Sequence, residues 1–125
     1  MNKRILILDD NRDILDIVTE ALSYEQFEVF DISLGSQLFD SVREFKPDLI
    51  LLDHRLSDAK GSDLCRELKA MPQYNHIPVI IFSAYINPGD ALAAECDGYL
   101  YKPFDLDELS NTVRRLLRDT REVAS

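Results

Sequence analysis

The sequence predicts an α/β fold, a single domain with a doubly wound, five-stranded parallel sheet and five helices. Two observations predict this class. Short apolar runs recur along the chain, and stretches with apolar residues three or four positions apart separate them. Bare apolar runs of this length are typical of strands buried on both faces, as in parallel sheets covered by helices. A chain of 125 residues is long enough to bury one core, so residues 1–125 are interpreted as one domain.

Strand signals occur at five places along the chain. The clearest is residues 49–52, four apolar residues that follow Pro47 and Asp48 and end on Asp53. Residues 28–32 show partial alternation, which is consistent with a strand at the edge of a sheet. The predicted strands are residues 3–8, 28–32, 49–53, 78–82 and 99–101.

Amphipathic helices are predicted after each strand. Proline ends the second and third helices, at Pro47 and Pro72, and Pro88 opens a short fourth helix that runs to residue 95. An acidic capping box at residues 105–108 opens the last helix, and the charged residues 119–125 are interpreted as a short tail. The apolar stripes of the first, second, third and fifth helices are all interpreted as core. They are Ile14, Leu15, Ile17, Val18, Ala21 and Leu22; Leu38, Val42 and Phe45; Leu64, Leu68 and Met71; and Leu106, Leu109, Val113, Leu116 and Leu117.

Composition narrows the range of functions. The net charge of -9 repels phosphate backbones, so we expect that this chain alone does not bind nucleic acid. A divalent cation or a partner with a basic surface suits this charge better. No apolar stretch could span a bilayer and no export leader is visible, so we expect a cytoplasmic protein without a membrane segment. Cys65 and Cys96 show no metal or redox spacing and are interpreted as reduced, packed thiols.

Polar side chains follow the ends of the predicted central strands. Right-handed crossovers favour the strand order 2-1-3-4-5, the flavodoxin-like arrangement, in which strands one and three are neighbours. Asp9 and Asp10 follow strand one, Asp53 ends strand three, Ser83 follows strand four and Lys102 follows strand five. Converging carboxylates repel one another unless a cation lies between them, and Mg²⁺ prefers such oxygen ligands. Together with an amine and a hydroxyl, these groups suit phosphoryl transfer onto an aspartate.

These residues resemble the receiver domain of two-component response regulators over essentially the whole chain. The match depends on the order and spacing of several short motifs on successive strands. They are Asp9-Asp10, Asp53 after Leu-Ile-Leu-Leu, Gly61 eight residues later, Ser83-Ala84, and Tyr99-Leu100-Tyr101-Lys102-Pro103-Phe104.

The resemblance implies a role for each matching acid. Asp53 matches the phosphoacceptor, which takes a phosphoryl group from the phosphohistidine of a sensor kinase or from a small donor such as acetyl phosphate. Asp10 and Asp53 match direct Mg²⁺ ligands, Asp9 matches a ligand acting through water, and Arg55 matches the position whose backbone carbonyl completes the metal site. Such a domain catalyses only its own phosphorylation and dephosphorylation, so the resemblance implies a switch rather than an enzyme.

The resemblance also implies a switching mechanism. Lys102 matches the lysine that pairs with the phosphoryl group, and its bond to Pro103 is expected to be cis. Ser83 matches the switch hydroxyl and Tyr99 the switch aromatic, although simple packing of Tyr99 is an alternative. In the family these two side chains remodel the surface of helix four, strand five and helix five. The implied partners are a histidine kinase or histidine phosphotransfer protein and an unidentified downstream effector, and a homodimer formed on phosphorylation stays open.

The sequence departs from the family pattern at several positions. Ser57 stands where many relatives have Pro, Glu95 stands where Gly is frequent, and the segment between Ser83 and Lys102 is shorter than in many relatives, which bears on the output face.

We expect a stand-alone regulator or phosphorelay shuttle rather than the receiver of a longer protein. Asp58 is interpreted as a loop acid and His54 as having no function.

Three other functional classes compete with the phosphorylated switch. One is a Mg²⁺-dependent phosphatase with an aspartyl nucleophile, although the paired acids here are adjacent rather than two residues apart. Another is a pseudo-receiver that works without phosphate. The third is a flavin or nucleotide binder, which the absence of a Gly-rich loop after strand one disfavours. Asp9 and Asp10 could also be no more than helix caps.

Overall fold

Five parallel strands form the centre of the protein. The structure, a computed structural model, describes residues 2–84 and 87–124, with the side chains at 91–93 and 119–124 left out. The strands are β1 (Arg4–Leu8), β2 (Glu28–Ile32), β3 (Leu49–Asp53), β4 (Val79–Ser83) and β5 (Gly98–Tyr101). They pair in parallel in the order β2-β1-β3-β4-β5, which confirms the predicted doubly wound, flavodoxin-like topology.

Helices cover both faces of the sheet. They are α1 (Arg12–Tyr24), α2 (Leu38–Phe45), α3 (Gly61–Lys69), α4 (Pro88–Ala94) and α5 (Leu106–Ala124), and a 3₁₀ turn at Gly35–Gln37 precedes α2. One core cluster contains buried residues of α2, α3 and α4, and the other contains buried residues of α1 and α5. Successive residues of β1 alternate between the two clusters, because side chains of a strand point to opposite faces.

Helix ends follow local chemistry. The Asn11 side chain caps α1 by accepting hydrogen bonds from the backbone amides of Asp13 and Ile14. Lys46 ends α2 in the left-handed region at φ 55, and Glu95 follows α4 at the same φ. Because Asn11 is the cap of α1, Asp9 and Asp10 are not needed for that purpose.

Two helix ends differ from the sequence-based boundaries by more than one residue. The apolar stripe of α3 was predicted to include Met71, but the helix ends at Lys69. Beyond it the Met71 and Tyr74 amides donate to carbonyls three residues earlier, so the chain continues in turns toward β4. The helix α5 continues to Ala124, into the segment interpreted as a charged tail, since neither Gly nor Pro interrupts residues 106–124.

Packing accounts for both cysteines. Cys65 is buried and Cys96 is half-buried, both thiols are free, and both pack in the cluster beneath α3. Burial raises the pKa of Cys65 to about 12 and also raises the pKa of Cys96, so neither is a reactive thiolate near neutral pH. Within residues 2–84 and 87–124, no helix has the length and apolar character to cross a bilayer.

Candidate acidic site at the carboxyl ends of the strands

Three carboxylates meet where β1 and β3 end. Asp9, Asp10 and Asp53 each offer an oxygen, and these oxygens lie within 4.8 Å of one another. The convergence follows from the sheet, because β1 and β3 are paired in register up to Leu8 and Leu52. Asp9 is fully buried and Asp53 is 4% exposed, whereas Asp10 is exposed. The structure thus brings together the three acids that the sequence singled out.

Lys102 lies among these acids. Its Nζ donates to Asp9 Oδ2 at 2.9 Å and to Asp53 Oδ1 at 3.3 Å. The lysine follows β5, and its backbone amide donates to the Ser83 carbonyl at 2.8 Å, which extends the pairing of β4 and β5 to this point. The Lys102–Pro103 bond is cis, as the family resemblance implied. The other oxygen of Asp9 accepts the Asn11 amide at 2.9 Å, so this carboxylate is held from two sides.

Electrostatics at the site disfavour the ionised form of Asp53. Burial and then the Asp9 carboxylate raise its pKa to about 6, against the opposing effects of Lys102 and the backbone amide of Arg55. The Lys102 ammonium therefore does not offset the combined effect of burial and the Asp9 charge on Asp53. A cation at this position would favour the ionised form, because an opposite charge nearby stabilises a carboxylate.

Gly61 is required by a close approach of two backbone segments. A Cβ added at Gly61 would lie 2.2 Å from the carbonyl oxygen of Asp53. In the same region the Gly61 amide donates to the His54 carbonyl at 2.8 Å, and Arg55 forms an isolated bridge with Lys60. The spacing of Gly61 from Asp53, noticed in the sequence, thus reflects the folding of the intervening loop against the end of β3.

Ser83 and Tyr99 occupy neighbouring strands of the sheet. Ser83 ends β4 and is 2% exposed, and the register pairs it with Tyr101. The Tyr99 ring packs against the core cluster of α2, α3 and α4 and against Tyr101, with 4.5 Å between ring centroids. The Tyr99 hydroxyl oxygen is buried. Ser83 lies at the edge that carries the acids, and Tyr99 points inward.

Comparison with known proteins establishes the family. The family model described as "Response regulator receiver domain" matches residues 5–114. This chain is a response regulator receiver domain. It is 37% identical over 121 residues to the DNA-binding response regulator MtrA of Mycolicibacterium smegmatis, covering 94% of this chain and 52% of that protein. It is 33% identical to the sporulation initiation phosphotransferase F of Bacillus subtilis, covering 94% and 95% of the two chains.

Solved structures resemble the receiver domain along nearly its whole length. A CheY-like receiver domain protein from Methanospirillum hungatei has a TM-score of 0.91 at 25% identity, covering 98% of both chains. The receiver domain of the sensor histidine kinase PA1611 from Pseudomonas aeruginosa has a TM-score of 0.84 at 28% identity, covering 94% and 98%. That structure holds a magnesium ion in its active-site cleft. The receiver domain described here spans about half the length of the first curated relatives that it matches.

An apolar groove lies beside Lys102 and was not predicted. Ile17 and Leu106 were interpreted as core, but they are 54% and 43% exposed, so that interpretation was wrong for both. The apolar stripes of these helices are wider than the helix faces that are buried, and periodicity alone does not show where a buried face ends. The groove has a volume of about 420 Å³ and is lined by Ile14, Ile17, Val18, Ala84, Lys102, Pro103, Phe104 and Leu106.

His54 is a core histidine of the receiver domain. It is 6% exposed, its Nδ1 accepts the Ser62 amide at 3.4 Å, and its Nε2 lies 3.9 Å from Asp90 Oδ2. Burial lowers the pKa of His54, which favours the neutral ring. These contacts are consistent with a packing role.

Asp58 has contacts that the sequence did not suggest. Its Oδ1 accepts the Gly35 amide at 2.8 Å and its Oδ2 accepts the Ser36 amide at 3.0 Å, and these hydrogen bonds lower its pKa. Local sequence carries no signal for such contacts, because the partners lie 23 and 22 residues away.

Proposed function

We propose that this receiver domain is a phosphorylation switch in a two-component system, with Asp53 as the phosphoacceptor in a Mg²⁺-dependent reaction. The observation that carries the proposal is the convergence of Asp9, Asp10 and Asp53 within 4.8 Å, together with the contact of Lys102 to two of them. The combination of clustered acids and a paired amine suits a carboxylate nucleophile with a cation and a phosphoryl group beside it.

The donor set fits a hard divalent cation. Asp9, Asp10 and Asp53 supply only oxygen ligands, and we propose that the Arg55 carbonyl joins them. Such a set suits Mg²⁺, which usually keeps several waters and binds phosphate oxygens alongside carboxylates. Bound there, Mg²⁺ would supply positive charge that offsets the acids and the phosphoryl oxygens. The raised pKa of Asp53, caused first by burial and then by the Asp9 carboxylate, supports this fit, because a cation beside Asp53 would stabilise its ionised form.

Asp53, Lys102 and Ser83 have different roles in the phosphoryl transfer. An oxygen of Asp53 attacks phosphorus and forms a P–O bond, while the bond from phosphorus to the donor nitrogen of phosphohistidine, or to the acyl oxygen of acetyl phosphate, breaks. The ammonium of Lys102 lies 3.3 Å from Asp53 Oδ1 and balances charge on the phosphoryl oxygens. The buried hydroxyl of Ser83 donates to a phosphoryl oxygen, and this contact biases Tyr99 and the surface of α4, β5 and α5.

The donor is a protein with a phosphohistidine, either a sensor histidine kinase or a histidine phosphotransfer protein. The apolar groove supports this choice, since its lining includes Lys102, which contacts Asp53, together with the exposed side chains of Ile17 and Leu106. An apolar surface at that place suits a protein partner that must bring its phosphoryl group to Asp53. In this proposal the domain works in the cytoplasm, controls a downstream partner, and catalyses only its own phosphorylation and dephosphorylation.

Mass spectrometry tests the proposal directly. The chain is incubated with acetyl phosphate and Mg²⁺, and one phosphoryl group should be added to the wild type and to Asp63→Asn but not to Asp53→Asn. EDTA should abolish the addition. An unchanged wild-type mass, under conditions that modify another receiver domain, would contradict the proposal. Steady turnover of a phosphoester would favour the phosphatase alternative instead.

A further inference from the structure

The loop between β3 and α3, residues 54–60, is closed by its own backbone. The Gly61 amide donates to the His54 carbonyl at 2.8 Å, and the Leu56 amide donates to the Ala59 carbonyl at 3.1 Å. The loop therefore folds back on itself instead of running directly from the strand into the helix. Asp58 lies at its tip, between Leu56 and Ala59.

The tip of this loop is attached to a different part of the fold. The two Asp58 oxygens accept one hydrogen bond each from the successive amides of Gly35 and Ser36, at 2.8 and 3.0 Å. These amides begin the 3₁₀ turn that leads into α2, and amides at the start of a helical segment otherwise have no partner within it. Charge-assisted hydrogen bonds of this kind are stronger than neutral ones. Asp58 therefore links the loop that follows Asp53 to the start of α2.

Packing around this link is tight. A Cβ added at Gly35 would lie 3.0 Å from the Ala59 Cβ, 3.1 Å from Asp58 Oδ1 and 3.3 Å from Leu64 Cδ1. Gly35 is buried, so the turn before α2 lies directly against the loop tip and the first turns of α3. A side chain at position 35 would separate the two amides from the Asp58 carboxylate.

We infer that Asp58 is a positioning residue for the chemistry at Asp53: by attaching the loop tip to the turn before α2, it holds the Arg55 backbone beside the Asp53 carboxylate. This inference rests on the proposed function. Arg55 lies between the strand end and the tip, and its backbone amide already acts on the Asp53 carboxylate. Ser57 leaves φ free where a proline would restrict it, so the side-chain contacts of Asp58 add a restraint to the backbone hydrogen bonds that close this loop.

The test compares three variants of the full chain. Asp58→Ala removes both hydrogen bonds, Asp58→Asn keeps one acceptor oxygen for a backbone amide, and Asp63→Ala makes the same change of charge at an exposed acid paired with Arg66 on α3. Three quantities are measured: hydrogen exchange of the Leu56 and Gly61 amides by NMR, the Mg²⁺ dissociation constant by calorimetry, and the rate of phosphorylation by acetyl phosphate.

We expect faster amide exchange in Asp58→Ala and a Mg²⁺ dissociation constant about tenfold higher, as when an outer contact of a metal site is lost. Phosphorylation should slow at low Mg²⁺, Asp58→Asn should be intermediate, and Asp63→Ala should match the wild type. If Asp58 only stabilised the fold, Asp58→Ala would lower the melting temperature. The Mg²⁺ dissociation constant, measured at temperatures well below that melting temperature, would then be unchanged. If Asp58→Ala showed the same amide exchange and the same Mg²⁺ affinity as the wild type, this inference would be overturned and the proposed function would not be affected. A wild type that neither binds Mg²⁺ nor takes a phosphoryl group would overturn the proposed function and this inference together.

Discussion

Replacing Asp53 with a neutral residue should stabilise the protein when no divalent cation is present. The pKa of Asp53 rises from 3.8 to about 6 on folding, mainly because of burial and the Asp9 carboxylate. The folded state therefore holds this proton more tightly than the unfolded state, and stability falls as pH rises from about 4 to about 6. Asp53→Asn removes the charge while keeping the shape of the side chain.

The size of the effect follows from the shift. A shift of about two pKa units at about 1.4 kcal/mol per unit corresponds to about 3 kcal/mol. Asp53 is 4% exposed, so solvent screening reduces this value little. The variant loses part of its contact with Lys102, but the net shift already includes that attraction. Allowing for local relaxation, we expect the free energy of unfolding to rise by about 1–3 kcal/mol.

Urea denaturation followed by circular dichroism, in EDTA, measures this effect. At pH 7.5 Asp53→Asn should be more stable than the wild type, and the difference should shrink as the pH falls and disappear below about pH 3, where Asp53 is protonated in both states. The control Asp63→Asn removes an exposed acid and should change stability by less than about 0.5 kcal/mol. With saturating Mg²⁺ the difference should narrow, because the wild type gains more binding free energy. A variant less stable than the wild type at pH 7.5 in EDTA would refute the electrostatic account of this site.

Three further predictions concern other parts of the fold. Leu106→Ala should slow phosphotransfer from the cognate kinase about five- to tenfold, as at an interface anchor, and leave the acetyl phosphate rate unchanged. Gly61→Ala should cost about 3 kcal/mol or more in urea denaturation, because its Cβ would lie 2.2 Å from the Asp53 carbonyl oxygen. Glu95→Gly should stabilise by about 0.5–1 kcal/mol, because Glu95 has φ 55 and glycine adopts that conformation without strain.

Matched variants make these predictions selective. Leu34→Ala removes a leucine of similar exposure, 42%, away from the groove and should leave phosphotransfer unchanged. Gly89→Ala meets only a side-chain oxygen at 3.3 Å, so it should cost far less than the change at Gly61. Glu67→Gly, on the exposed face of α3, should destabilise by about 1 kcal/mol, opposite in sign to the change at Glu95. Equal effects in the members of any pair would contradict the corresponding explanation.

The sequence alone determined the fold class and the set of groups at the site. Apolar runs and helical stripes are local patterns, and the handedness of crossovers then leaves few ways to arrange five strands. Once the strand order is known, acids at the ends of β1 and β3 must lie at the same edge, which is why the sequence alone groups Asp9, Asp10 and Asp53. Lys102 could be added for the same reason, since it follows β5.

Only the tertiary structure decided which contacts these residues make. Ile17 and Leu106 belong to apolar stripes, and their exposure depends on how far α1 and α5 cover the sheet. Asp58 meets Gly35 and Ser36 from more than twenty residues away, and no local pattern records that approach. Periodicity reports which face of an element is apolar, whereas partners distant in sequence are chosen by packing, and packing exists only once the whole chain has folded.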